Sequence, residues 1–465
     1  MNAFTAADKL HRLVKRAMDS GAAQSRDEAE ALLRGYRLSL SIDRDCTRDP
    51  HHQSALLTAV ALGRRVFLGG VIVQGELEVP LTTPLPFGAT LQEAVVALGA
   101  TPGEHISATP LIAIGGEPRP QSMTFQVRTV FEGWRGGIVP AHAPGIDPGP
   151  NGVMALAPML AAALAVNEAF LHISGDLPTA GRRFVGLDLW ALAPGTAWLS
   201  PAANEPVAAF LPSRLWLIGL GHLGQAYLWG LGLLPYAKPD DVHLVLQDDD
   251  VITPSTESTS ILSDAAQIGM KKTRIMAAWA ERRGFRTTIT ERLFNANVHR
   301  LPDEPGIALC GLDNAVGRRA LDHAGFDFVV EAGLGRGHND FRSLLVHTLP
   351  GEVSAANLWK DVDGAATAAE ASAYRKMLDE GSLDRCGVTL LAGKAVGAPF
   401  VGAVAATLVL SEVLRLLHGG PLHRLIDTSL IDLDHMKPVA QKNDFSGINP
   451  GFTAAKDGKP VIDLI

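Results

Sequence analysis

The chain has 465 residues, 47% hydrophobic and only 6% aromatic, with 47 glycines, 29 prolines and three cysteines. That length exceeds one core of roughly 100 to 200 residues and points to two units, and the composition excludes both a disulfide mini-fold and a disordered chain. A formal net charge of −8 offers no global positive field to nucleic acid or an anionic membrane. Cys46, Cys310 and Cys386 stand in unrelated contexts and build neither a disulfide framework nor a four-thiolate zinc site, which fits a reducing cytoplasm.

The N-terminus, MNAFTAADKLHRLVKRAMDSG, lacks the apolar core of a secretory signal and reads as helix, with Leu10, Leu13, Val14 and Met18 on one face. A second helix carries Ala29, Leu32 and Leu33 after a polar break at Gln24 to Asp27. A strand LSLSID follows, then a helix over Ser54 to Leu62 and a β-rich run RRVFLGGVIVQGELEVPL. Pro and Gly dominate from Pro140 to Gly152, before a helix of small apolar residues from Met154 to Phe170. Short strands FVGLDLWAL and TAWLS lead into a Pro-rich connector near 201 to 213.

From Arg214 strand and helix alternate: RLWLIGL, a helix over 224–234, HLVLQD, a helix over 271–283, TTITERL, IALCGL, a helix over 315–324 and FDFVVEAG. Such alternation argues for a parallel sheet covered by helices. A polar connection, 351 to 385, contains the helical AEASAYRKMLDE. The apolar stretch Ala395 to Leu417 is interrupted by Pro399, Glu412 and Arg415 and reads as a buried core helix, not a membrane span. A strand LIDTSLIDL and an irregular tail end the chain. One internal echo stands out: Ala155 to Glu168 lays over Pro399 to Glu412, small residues followed by a glutamate in both. If the echo is real, the first half is a degenerate copy of the second without its phosphate loop.

Gly219-Leu220-Gly221-His222-Leu223-Gly224 follows the strand LWLI and opens a helix, which turns backbone N–H groups toward a phosphate. Dehydrogenases, flavoproteins and adenylating enzymes share this pattern, and a tight turn that binds nothing also fits it. HLVLQ runs into Asp248-Asp249-Asp250, placed to meet a ribose at the end of the next strand. The segment DDDVITPSTESTS then resembles the D-x-D-x-V-E-x-S-N-L-x-R-Q segment of the ThiF, MoeB and ubiquitin-activating enzyme family, with Asp248, Asp250, Val251, Ile252 and Ser255 in register. IGMKKT resembles the family's V-G-x-x-K, with Gly269 and Lys272, and CGLDNAVGR resembles its C-x-D-N-x-x-x-R, with Cys310, Asp313, Asn314 and Arg318.

The resemblance covers about residues 210 to 430. It implies an α/β, Rossmann-like ThiF-type adenylation domain over 206–435, with a catalytic-cysteine crossover at about 351–391 and a tail over 436–465. Residues 1–205 would form a degenerate, inactive adenylation-like half, making a pseudo-dimer within one chain. Gly219, Gly221, Gly224, Asp248, Asp250, Ser255, Lys272, Asp313, Asn314 and Arg318 would hold ATP. Lys272 would neutralise phosphate charge, and Asp313 would hold Mg²⁺. In one departure, Thr259 stands where the family has an arginine. Arg274, Arg318 or an arginine of the N-terminal half, Arg44 or Arg48, would have to replace it.

Thioester-forming members place their cysteine on the crossover ahead of a threonine and a small-residue helix, which singles out Cys386, with Thr389 three residues on. A thiolate attacks an acyl adenylate well near neutral pH, and Arg385 favours it. Cys310 reads as a packed core cysteine; Cys46 has no assigned task. The layout resembles the activating enzymes of Bil-type antiphage operons, which implies a ubiquitin-like protein and a conjugating enzyme as partners. Adenylation without a thioester, a scaffold that binds a ubiquitin-like protein without ATP, and an NAD-dependent oxidoreductase are the competing readings.

Overall fold

The computed structural model describes residues 4–116, 125–146, 152–192, 195–360, 372–379 and 385–456, without the side chains of Arg385 and Cys386. Three short helices open the chain, α1 (Ala6–Lys9), α2 (Arg12–Asp19) and α3 (Arg26–Arg34). The first sheet is built from β1 (Leu38–Ile42), β2 (Val71–Gln74), β3 (Thr101–Pro102), β4 (Leu111–Ile114), β5 (Gln126–Glu132), β6 (Arg135–Pro140) and β7 (Val185–Asp188). Its helices are α4 (Pro50–Gly63), α5 (Leu91–Ala97) and α6 (Leu156–Ile173).

The second sheet uses β9 (Arg214–Ile218), β10 (His243–Gln247), β11 (Arg286–Thr290), β12 (Ile307–Cys310), β13 (Phe328–Leu334), β14 (Ser343–Leu349), β15 (His423–Ser429) and β16 (Asp432–Ala440). With it go α7 (His222–Leu233), α8 (Pro254–Glu257), α9 (Lys272–Arg282), α10 (Ala315–Arg319), α11 (Ala355–Leu358), α12 (Ser372–Asp379), α13 (Arg385–Gly393) and α14 (Pro399–His418). A separate ribbon joins β8 (Phe210–Pro212) to β17 (Phe452–Ala454), so the end of the chain returns to the entrance of the second half.

The two sheets have one topology. The orders are β3-β2-β1-β4-β5-β6-β7 and β11-β10-β9-β12-β13-β14-β15-β16, and seven strands correspond one to one. Both are parallel through β5 and β13 and antiparallel after them. Helices α4 and α7 follow the first strand of each sheet; α6 and α14 precede the seventh. These four helices pack together between the sheets, α4 on α6, α6 on α14 and α14 on α7. Trp229 Nε1 in α7 donates to Thr58 Oγ1 in α4 at 3.0 Å. Both α6 and α14 are long and apolar enough to cross a membrane, yet each is 89% buried within the protein.

The echo between α6 and α14 reaches the side-chain level. Glu168 is fully buried and accepts Gly181 N and Arg183 Nε, both at 2.9 Å, just ahead of β7. Glu412, equally buried, accepts His423 N at 3.1 Å and His423 Nδ1 at 2.9 Å at the start of β15, and pairs with Arg415. Burial alone would raise the Glu412 pKa, but Arg415 and His423 hold it below the usual carboxylate range. Each glutamate ties its interface helix to the following strand.

Some local expectations differ. TAWLS forms a 3-10 turn over Gly195–Leu199, because Gly137 and Gly186 open a slot that the buried Trp198 ring fills. Only Val71–Gln74 of the β-rich run pairs as strand; ahead of it Val66 and Phe67 are buried in a turn. The sequence pattern did not mark β3–β6, α5 or β14. LIDTSLIDL lies across a hairpin of β15 and β16.

Glu412→Ala leaves buried Arg415 and His423 without their partner and is expected to destabilise the chain by about 3 to 5 kcal/mol. Denaturant unfolding checks this; a loss below about 1 kcal/mol would show that solvent already screens the cluster.

Candidate active site

Strand β9 lies between β10 and β12, so the chain leaves it where the two neighbouring connections part to opposite sides, the usual ligand position in such sheets. Gly219 takes φ +81, and a Cβ at Gly224 would sit 1.9 Å from Gly219 O, so the turn and the close approach of helix to strand both require glycine. Gly221 is the N-cap of α7 and faces open space; no side chain caps the helix among the described residues. The first-turn N–H groups are therefore available to an anion.

Asp248 shapes this loop. Its Oδ2 accepts Leu220 N at 2.6 Å and its Oδ1 accepts Asp250 N at 2.8 Å. The carboxylates of Asp248, Asp249 and Asp250 lie within 4.8 Å of one another, and the ammonium of Lys272 is 3.4 Å from Asp248 and 2.9 Å from Asp250. Burial would lower the Lys272 pKa, but the two aspartates raise it above its ordinary value and keep it charged.

A cation absent from the sequence-based set meets the segment that follows Asp250. Arg12, at the start of α2, donates through Nη2 to Ser255 Oγ at 3.2 Å and through its backbone N to Ser258 Oγ at 3.3 Å. Burial lowers its pKa, while Asp313 and Asp8 act against that. Its Nη1 is buried without a partner among the described residues. A buried donor left unmet costs about 1 to 3 kcal/mol, so this atom is free to take an acceptor from a ligand or from water. Thr259 is itself buried, near His222 and Gly397.

Asp313 is exposed at the end of β12. The next two motif residues are engaged by the protein. Asn314 Oδ1 accepts Gly317 N at 2.7 Å as the cap of α10. Arg318 donates from Nε and Nη2 to Leu312 O at 3.0 and 2.6 Å, and its Nε lies 2.8 Å from the buried Glu331. Both side chains shape the loop that presents Asp313. Arg274 pairs at the surface with Glu291 at 2.7 Å.

Arg44 and Arg48 stand elsewhere, in the loop after β1, the first-half counterpart of the glycine loop. Arg44 pairs with Glu76 at 3.0 Å and is 84% exposed; Arg48 is exposed and its carbonyl accepts Thr82 Oγ1 at 3.1 Å. In that loop Asp49 caps α4, accepting His51 N and His52 N at 3.0 and 2.9 Å, so this helix start is closed by a side chain of the chain itself. Cys310 is fully buried, which pushes its thiol up to about 12. Cys386 falls in the first turn of α13; its side chain, with residues 361–371 and 380–384, lies outside the described residues.

Fold and loop together define an α/β protein with a glycine-lined strand-to-helix turn, uncapped by any described side chain, in its second half. Family models for the BilD N-terminal domain and the BilD C-terminal domain match residues 37–189 and 211–420. The Bacterial E1-like protein BilD of Collimonas sp. (strain OK412) is 45% identical over 430 residues, 92% of this chain and 93% of that protein. The chain belongs to the BilD family of bacterial E1-like proteins. Among solved structures, E. coli MccB matches with a TM-score of 0.34 and 13% identity over 50% of this chain and 63% of its own. TcdA (CsdL) matches with a TM-score of 0.28 and 12% identity over 44% of this chain and 86% of its own.

The self-capped loop titrates. Burial would lower the His52 pKa, but the Asp49 contact at 2.6 Å, with Cys46 beside it, raises it from 6.5 to about 9. A raised folded pKa adds stability that is complete below the unfolded value and lost as pH rises through the folded one. Unfolding midpoints are therefore expected to fall between about pH 6 and about pH 9.5, less steeply in His52→Asn. Parallel curves for the two proteins would contradict the His52–Asp49 assignment.

Proposed function

We propose that this chain uses ATP to adenylate the C-terminal glycine carboxylate of a ubiquitin-like protein and then takes the acyl group onto Cys386. The observation that carries this reading is Arg12, brought from the first helices to Ser255 with one donor unmet, within electrostatic reach of Asp313 and of His222 at the uncapped start of α7. These groups suit a triphosphate: N–H groups for phosphate oxygens, two cations for its charge, and Asp313 as an exposed carboxylate suited to Mg²⁺. Magnesium, when bound with ATP, would supply further neutralisation of the leaving pyrophosphate. Arg12 fills the role that Thr259 vacates.

The glycine carboxylate attacks the α-phosphorus; the α–β bridging P–O bond breaks and pyrophosphate leaves. The Cys386 thiolate then attacks the acyl carbon, AMP departs, and a thioester remains for transfer to a conjugating enzyme. Residues 206–435 act as the adenylation domain, with the crossover at about 351–391 carrying the thiol and 436–465 as a tail. Residues 1–205 act as an inactive adenylation-like half, a reading supported by the shared topology and by Asp49 closing the start of α4. The setting we infer is cytoplasmic antiphage defence by a pseudo-dimer contained in one chain.

Incubation with ATP, Mg²⁺ and the ubiquitin-like protein encoded nearby is expected to give a thiol-sensitive band on a non-reducing gel, absent in Cys386→Ala. Pyrophosphate exchange without that band would limit the chain to adenylation; neither signal would reject the proposal. In Arg12→Ala, exchange should drop by roughly 10²-fold in kcat, the usual scale for losing one donor to transition-state charge.

A further inference from the structure

Arg12 can serve a triphosphate only if α2 is held at one register, and α2 has eight residues, too few to be stable alone. Its buried Leu13, Val14, Ala17 and Met18 attach it to the core. Apolar contact, however, is not directional, and a small slide would remove Arg12 from Ser255. Arg16, one turn further on the same face, is fixed directionally. Its guanidinium pairs with Asp176, which also takes Arg342 Nη2 at 2.9 Å.

This junction joins three parts of the chain. Asp176 follows α6, its N–H bonded to Leu171 O at 3.0 Å. Arg342 stands just ahead of β14 and donates from Nε to Asn167 Oδ1 at 3.1 Å, while Asn167 Nδ2 donates to Leu430 O at 3.1 Å. Phe170 and Phe341 wall the cluster: Arg342 lies 4.4 Å from the Phe341 ring centroid, and both arginines lie 5.5 Å from that of Phe170. Side-chain exposures are 13% for Arg16, 19% for Asp176 and 4% for Arg342. Two enclosed cations thus share one carboxylate.

We infer that Asp176, a first-half residue remote in sequence from the glycine loop, is the positioning residue that aims Arg12 into the active site by fixing α2 through Arg16. The inference rests on the role given to Arg12 above. Asp176 does not touch the nucleotide; it acts by holding α2 to the body of both halves.

The test compares full-length wild type, Asp176→Asn, Asp176→Glu, Arg12→Ala and the Asp176→Asn/Arg12→Ala double variant, by pyrophosphate exchange and by hydrogen exchange of the α2 amides. Asp176→Asn should reduce pyrophosphate exchange nearly as far as Arg12→Ala, and the double variant should be no worse, because coupled residues are not additive. Amides of α2 should exchange roughly tenfold faster, with β9 and β12 unchanged, and Asp176→Glu should recover much of both signals. Unchanged α2 protection in Asp176→Asn would overturn the inference, as would effects that simply multiply in the double variant. If wild type shows no pyrophosphate exchange, the proposed function fails; α2 protection alone then decides whether Asp176 is the anchor.

Discussion

Helices α6 and α14 have no polar face, and a helix apolar all round is stable in water only when covered on every side. Here each is covered by the other, by α4 or α7, and by a sheet. One half alone would leave its interface helix bare, so the two sheets depend on each other. Within this core Glu168 and Glu412 are the only acidic side chains of the two helices; Glu168 is neutralised by Arg183 ahead of β7, and Glu412 by Arg415 of its own helix while it also bonds His423 at the start of β15.

On that common framework the two halves treat one place in opposite ways. After β9, glycines strip the turn of side chains and leave the start of α7 open. After β1, Asp49 closes the start of α4 and Arg44 is drawn off to Glu76 at the surface. An exposed pair such as Arg44–Glu76 is worth at most about 1 kcal/mol, whereas a buried donor left unmet, as Arg12 Nη1 is among the described residues, costs about 1 to 3 kcal/mol. Of the two corresponding helix starts, that of α7 is therefore open and that of α4 is closed by the chain's own carboxylate.

The alternation from Arg214 to Gly333 was legible because strands buried on both faces read as continuous apolar runs bounded by turns. The glutamate-terminated echo was legible too, since its residues repeat a packing requirement. Strands β4–β6 were not: glycines and prolines around them, used for close approaches such as Trp198 on Gly137 and Gly186, mask the pattern. Among the candidate site residues, the structure brings together the glycine loop, Asp248, Asp250 and Lys272, while Ser255 meets Arg12. Arg12 was hidden because HRLVKR looks like the solvated flank of an amphipathic helix, and only the tertiary arrangement that packs α1 on α8 and sets the start of α2 against Ser255 and Ser258 turns it inward.

On the proposed function, one chain assembles a whole active site, with the arginine supplied in cis. Mixing Arg12→Ala protein with Lys272→Ala protein and measuring pyrophosphate exchange tests it directly. An arginine acting in cis leaves the mixture no more active than the sum of its parts. Recovery of activity on mixing would mean that Arg12 is donated to another copy, and would contradict the account.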